Sequence, residues 1–349
     1  MIRENPTMWT KTTRIIGLGL LLLLLALMLS QEALAARSAG GMATGSASAR
    51  VKAEISLGVA QQRAIIDVEL CAKPGTMTMP DSAVIDIWGY ALKPAGTPCT
   101  DSTVVASLPG PVIEATAGDT INITVYNELG QDTSVIFPGQ PMVPDVTGFG
   151  SGSSYTYTLV DVAPGSYLYE SGLNAQKQIP MGLYGALIVH SQTAGQAYDT
   201  AASAYDRAET LLLSEIDPAL NADPAGFNML NYAPKYWLIN GKAYPDTVTL
   251  ASAPGERLLI RYLNAGAIHE SMSLLGLYQT VVGADSFAVN FPYDLMVPNI
   301  PSGETLDVVV AVPADITGAR FPLYNRHMAL ANVDSYPGGM MTFLELQAP

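Results

Sequence analysis

Gly118-Asp119-Thr120-Ile121-Asn122-Ile123-Thr124-Val125-Tyr126-Asn127 alternates polar and apolar residues and ends in Asn. Gly255-Glu256-Arg257-Leu258-Leu259-Ile260-Arg261-Tyr262-Leu263-Asn264 has the same form 137 residues later. Each reads as a turn carrying an acidic residue, then a strand with one buried face. Such an offset is the size of a domain and too long for a solenoid unit. A second echo pairs Met181-Gly182-Leu183-Tyr184-Gly185-Ala186-Leu187-Ile188-Val189 with Gly338-Gly339-Met340-Met341-Thr342-Phe343-Leu344-Glu345-Leu346. Both are Gly/Met turns leading into a strand that would close its half. The pattern predicts two related β-sandwich domains, over about 51–195 and 235–349, joined by a linker at 196–234. Short helices are expected over Thr193–Arg207, which is Ala-rich, and Asp217–Gly226, which Pro breaks. Thr210–Ile216 reads as a strand leading into that linker.

Composition agrees with an all-β chain. The 349 residues include 31 Gly and 24 Pro, many turns' worth, and 49% are apolar, enough for a large core. The formal net charge of −14 argues against nucleic acid as a partner, because phosphate binding needs clustered Lys and Arg. Three His and two Cys in the whole chain exclude any site built from many imidazole or thiolate ligands.

The N-terminus reads as a targeting segment. Arg3, Lys11 and Arg14 form a positive region, Ile15–Leu29 is apolar, and Ala33-Leu34-Ala35 offers a cleavage pattern before Ala36. An uncleaved anchor is the alternative, but Ser30, Gln31 and Glu32 end the apolar run first. Removing residues 1–35 takes away three basic and two acidic residues, leaving 14 basic, 29 acidic and a net of −15. Residues 36–50 are Ala, Gly and Ser rich and read as a flexible leader. Export to a periplasmic or extracellular space makes a Cys71–Cys99 disulfide the expectation. The pair brackets Val84–Tyr90, an alternating strand with turn residues on both sides.

These landmarks resemble the multicopper oxidase family, built from cupredoxin domains. Pro109-Gly110-Pro111-Val112-Ile113 followed by Gly118-Asp119-Thr120 is similar to the opening of its first domain. Pro164–Tyr169 and Met181–Val189 resemble the close of that domain. Trp237-Leu238-Ile239-Asn240-Gly241-Lys242-Ala243-Tyr244-Pro245-Asp246 resembles the opening of the last, and Gly339-Met340-Met341 its final strand. The resemblance covers nearly all of the chain after the leader, in order. It implies two cupredoxin-like Greek-key β-sandwich domains.

Copper oxidases of this kind hold their metal through about ten imidazoles and one thiolate. The positions that the resemblance assigns to those ligands carry other residues here. In Thr133–Gln140 they are Ile136 and Pro138, and in Tyr169–Gly172 they are Glu170 and Gly172. In Glu270–Gly276 they fall on Glu270, Ser273 and Leu275, with His269 one residue off. The last motif should place Cys and His before Gly339, yet Phe321–Pro337 has only His327.

The remaining candidates have plain structural readings. His190 ends a strand and reads as a surface residue, while His269 and His327 read as satisfied polar groups or as sharing a vestigial metal. Glu170 reads as a carboxylate filling an old ligand position with a shifted pKa. Met77 and Met79 read as core filler rather than soft copper ligands. Asn122-Ile123-Thr124 is a glycosylation sequon inside an expected strand. The chain has no G-x-S-x-G, HExxH or P-loop motif. The leading expectation is an exported module without cofactor or catalytic residues, binding or structural in role. The resemblance implies a homotrimer, with no nucleic acid and no membrane contact once the signal is cleaved. A laccase-like, copper-dependent oxidoreductase built on His269 and His327 is the alternative, and copper belongs only to it.

Overall fold

The structure, a computed structural model, describes residues 63–347, so the expected signal segment and leader lie outside the described residues. The first half holds β1 (Ile65–Thr78), β2 (Val84–Leu92), β3 (Ile113–Thr116), β4 (Thr120–Asn127), β5 (Ser154–Val160), β6 (Gly165–Glu170) and β7 (Tyr184–His190). The second holds β8 (Arg207–Ile216), β9 (Tyr236–Ile239), β10 (Leu250–Ser252), β11 (Arg257–Asn264), β12 (Glu270–Leu274) and β13 (Gln279–Ala284). It continues with β14 (Phe287–Leu295), β15 (Asn299–Ile300), β16 (Thr305–Ala311), β17 (Arg320–Asn325) and β18 (Met341–Leu346).

Both repeat strands fold as the alternation predicts, and their topologies match. β4 lies parallel to β1 and antiparallel to β5, while β11 lies parallel to β8 and antiparallel to β16. The sheet order β2-β1-β4-β5 reappears as β9-β8-β11-β16, which β13 and β14 then extend. The facing sheet β3-β7-β6 reappears as β10-β18-β17, with β12 and β15 added. The chain is thus all-β, two cupredoxin-like sandwiches of one Greek-key plan. Gly118 and Gly255 take φ of +92° and +85° at the turn before each repeat strand, a conformation that side chains resist.

The Asn that ends each repeat has one local role. Asn127 Nδ2 donates to the carbonyls of Gln131 and Phe149, and its Oδ1 accepts from Leu129 N. Asn264 Nδ2 donates to the carbonyls of Ile268 and Ile300, and its Oδ1 accepts from Gly266 N. In both halves a buried amide therefore satisfies loop backbone where the strand turns away.

Burial explains why the two strands differ in composition. On β4, Ile121, Ile123 and Val125 enter the first core while alternate residues stay half-buried. On β11, Leu258, Ile260 and Tyr262 enter the second core, but the other face is covered too. Leu259 packs with Ala197 and Tyr198, and Leu263 joins the apolar contact between the sandwiches. That contact brings Ile87, Leu108, Leu168, Tyr184 and Ile188 against Leu212, Ile216, Tyr236, Leu238 and Leu263. Beside it lies a buried polar cluster. Arg261 Nη1 donates to Asp307 Oδ2 at 2.7 Å and to Ser166 Oγ at 3.0 Å. Ser166 Oγ and Tyr198 OH donate to Asp307 at 2.7 and 2.9 Å.

Two expectations need correcting. The stretch 196–234, expected as a linker, contains β8, which pairs with β11 and β9 as β1 pairs with β4 and β2. Its apolar run is buried on both faces, so it lacks the alternation that marks a domain's first strand. The helix expected over Thr193–Arg207 is reduced to a 3-10 turn at Ala201–Ser203. Gly195 at φ +73° and side chains that bond local groups, such as Ser191 and Thr193 donating to Asp199, compete with helix there. Between Asp217 and Gly226 the helix is Pro218–Ala222, capped by Asp217 accepting from Ala219 N.

The Cys71–Cys99 disulfide is present, with the Cα atoms 5.7 Å apart. Lys73 Nζ donates to the carbonyls of Cys99 and Val104 and so fixes the same loop to β1. Reduction should lower stability by about 3–4 kcal/mol in the chain-entropy account. Thermal unfolding with and without reductant, together with intact mass under alkylation, checks this; two freely alkylated thiols in the native protein would refute the bond.

Candidate functional site

Three of the four first-sandwich positions that the resemblance assigns to ligands converge. Ile136 and Glu170 exchange both backbone hydrogen bonds, Ile136 N donating to Glu170 O at 2.8 Å and Glu170 N to Ile136 O at 3.1 Å. Gly172 N donates to Ser134 O at 3.4 Å, and a Cβ built on Gly172 would lie 2.5 Å from Ile136 Cγ2. The isoleucine therefore fills the space that a larger residue at 172 would need. Pro138 is exposed and lies farther along, in a cavity of about 200 Å³ with Tyr167, Ser286 and Thr305.

Glu170 lines a second cavity of about 400 Å³ between the sandwiches, with Ile179, Pro180, Met229, Tyr232 and Ala265. Gly303 lines both cavities, and the first also carries Asp285 and Glu304. Burial pushes the Glu170 carboxyl up to about 7. This second cavity thus offers one carboxyl, half-neutral near pH 7, in mostly apolar walls. That suits a small apolar molecule with a hydrogen-bond donor.

The second-sandwich positions do not join this cavity. Glu270 faces inward, while Ser273 and Leu275 line a separate surface cavity of about 430 Å³ with Tyr278, Met296 and Arg326. Asn325 Nδ2 donates to Glu270 Oε2, leaving Glu270 Oε1 buried without a partner. His269 and His327, at the same end of the sheet, have ring centroids 4.6 Å apart. His190 stands apart at the end of β7, with Nε2 3.9 Å from Glu114 Oε2.

Glu215 was not singled out from the sequence, although a carboxylate inside Leu211–Ile216 is a signal of its own. Its Oε1 accepts from Ala267 N at 2.7 Å and Tyr232 OH at 3.3 Å, and its Oε2 has no partner. Burial raises Glu215 to about 7. Burial also raises Glu270 to about 8; the Asn325 amide opposes this, and the Glu215 charge adds to it. Both groups hold a proton in the folded chain at pH values where the unfolded chain has released it. The stability these two groups contribute is therefore fully present below about 4.5 and is lost as pH rises through 7–8, by at most about 1.4 kcal/mol per pH unit for each group. Glu270→Gln should remove Glu270's share. The Tm of this variant should gain on that of the parent between pH 5 and 8, and parallel curves would contradict the assignment.

No group of three or more His, Cys, Asp or Glu able to hold a metal occurs among the described residues. No helix among them is long and apolar enough to cross a membrane. Fold and topology define the class: a two-sandwich cupredoxin-like protein. Residues 91–194 match the family model described as multicopper oxidase. The chain is similar to the multicopper oxidase MmcO of Mycobacterium tuberculosis, 27% identical over 81% of this chain and 61% of that protein. It is also similar to copper resistance protein A of Escherichia coli, 26% identical over 60% of this chain and 42% of that protein. The chain thus spans roughly half the length of these curated relatives. A blue copper oxidase from Nitrosomonas europaea superposes with a TM-score of 0.70 at 18% identity, over 82% of this chain and 86% of that one. The copper nitrite reductase of Nitrosomonas europaea gives 0.65 at 21% identity, over 81% and 94%. In sequence and in fold the chain is thus similar to multicopper oxidases.

Proposed function

We propose that this chain is an exported member of the family that acts as a binding or structural module and not as an oxidase. The carrying observation is the donor chemistry of the four first-sandwich positions that the resemblance assigns to ligands. Isoleucine, proline and glycine offer no side-chain lone pair, and Glu170 is a single carboxyl raised to about 7. Copper affinity comes mainly from imidazole and sulfur, so this set does not fit a copper cluster. Both cysteines are joined to each other, which leaves no thiolate to carry electrons to one.

The ligand-equivalent positions in the second sandwich, Glu270, Ser273 and Leu275, support the same reading. The cavity beside Glu170 is the place where a small ligand would bind. Export to a periplasmic or extracellular space, assembly as a homotrimer, and no contact with nucleic acid complete the proposal. A laccase-like oxidoreductase with an unusual copper site is the rival, favoured only by the approach of His269 and His327.

Metal analysis after copper loading and desalting tests the proposal. A thiolate-to-copper absorption band, or copper at several equivalents per chain, would overturn it. Absence of the band with at most one copper supports it.

A further inference from the structure

We propose that His269 and His327 form a two-imidazole site for a single divalent transition ion on the surface of the second sandwich, with water completing the shell. The residues lie 58 apart in sequence and meet because β12 and β17 are antiparallel neighbours, Met272 opposite Asn325. Arg326 N donates to Ser271 O at 2.7 Å, so the pairing continues to the residues beside each histidine. His327 N donates to Asn325 Oδ1 at 2.7 Å, and the Asn325 amide is held in turn by Glu270. Met328 follows at φ +59°, which turns the chain back at once. Both backbones are therefore anchored, while both rings are exposed.

The centroids stand 4.6 Å apart with the planes at 88°. An ion bound at about 2.0–2.1 Å by two imidazole nitrogens sets those nitrogens roughly 3–3.4 Å apart, a separation in keeping with rings whose centroids lie 4.6 Å apart. Such a pair suits Zn²⁺ and, more strongly, Cu²⁺ by the order of divalent affinities. The net charge of −14 raises the local concentration of cations. Arg326, next to His327 in sequence, donates from Nη1 to Tyr324 OH at 3.2 Å. The site uses none of the residues that line the Glu170 cavity.

The test uses tag-free protein and Cu²⁺ or Zn²⁺ alone, with titration calorimetry for both and electron paramagnetic resonance for Cu²⁺. One ion per chain is expected, with two-nitrogen coupling in the copper spectrum. His269→Ala and His327→Ala should each weaken binding at least tenfold and reduce the coupling to one imidazole. His190→Ala should change neither. Equal binding in the parent and in His269→Ala, loss in His190→Ala, or no binding at all would overturn the site. The spectral readout separates ligand loss from any change in fold, which the melting temperature of each variant records.

Discussion

Arg261→Ala should destabilise the protein by about 3–5 kcal/mol, a drop in Tm on the order of 10 °C. The Arg261–Asp307 pair is almost wholly excluded from water, at 2% and 1% side-chain exposure. Asp307 would keep the hydrogen bonds from Ser166 and Tyr198 but lose its only counter-charge. A buried charge without a partner is costly, whereas replacing both partners by apolar residues is often nearly neutral. Arg261→Met with Asp307→Leu should therefore recover much of the loss. Ser166 belongs to the first sandwich and the charged pair to the second, so the loss should appear as weakened docking of the two. Chemical denaturation of the two variants measures this. A single variant within about 1 kcal/mol of the parent would show that the cluster is not holding the halves together.

The repeat that foretold two sandwiches works because each element of it has a physical task. The glycine supplies a positive φ, the alternation supplies a core face, and the terminal asparagine satisfies a loop. These are local needs, and local needs are readable in sequence. The cysteine pair was readable for a related reason, since export and an even count leave few options.

What stayed hidden depends on contacts between distant segments. β8 carries no alternation because the other sandwich covers its second face, and its parallel partner β11 begins 50 residues later. Arg261 stands on the β11 face opposite Leu258, Ile260 and Tyr262, the face that simple alternation would leave to solvent. Its partners, Ser166 on β6 and Asp307 on β16, are ones that no spacing rule brings together. Glu215 was legible as a carboxylate in an apolar run, but its loop partner Ala267 was not. The meeting of His269 and His327 required the pairing of β12 with β17. The resemblance pointed to the positions around Glu170, and the structure adds that Ile136 fills the space over Gly172.

The largest functional effect expected is an absence. An oxidase of this family must accept single electrons at one copper and deliver them to a cluster that reduces oxygen. Ile136, Pro138, Glu170 and Gly172 supply one carboxyl between them, and no free cysteine exists to conduct the electrons. A surface ion on His269 and His327 would have no group of three or more His, Cys, Asp or Glu among the described residues to hold a partner metal for electron transfer.

Oxygen uptake by copper-loaded, desalted protein in the presence of a phenol is the direct measurement. Uptake no faster than that of a mock-loaded sample is predicted, in the parent and in the His269→Ala, His327→Ala double variant alike. Sustained, phenol-dependent uptake that copper loading restores after chelation, in either protein, would contradict the account.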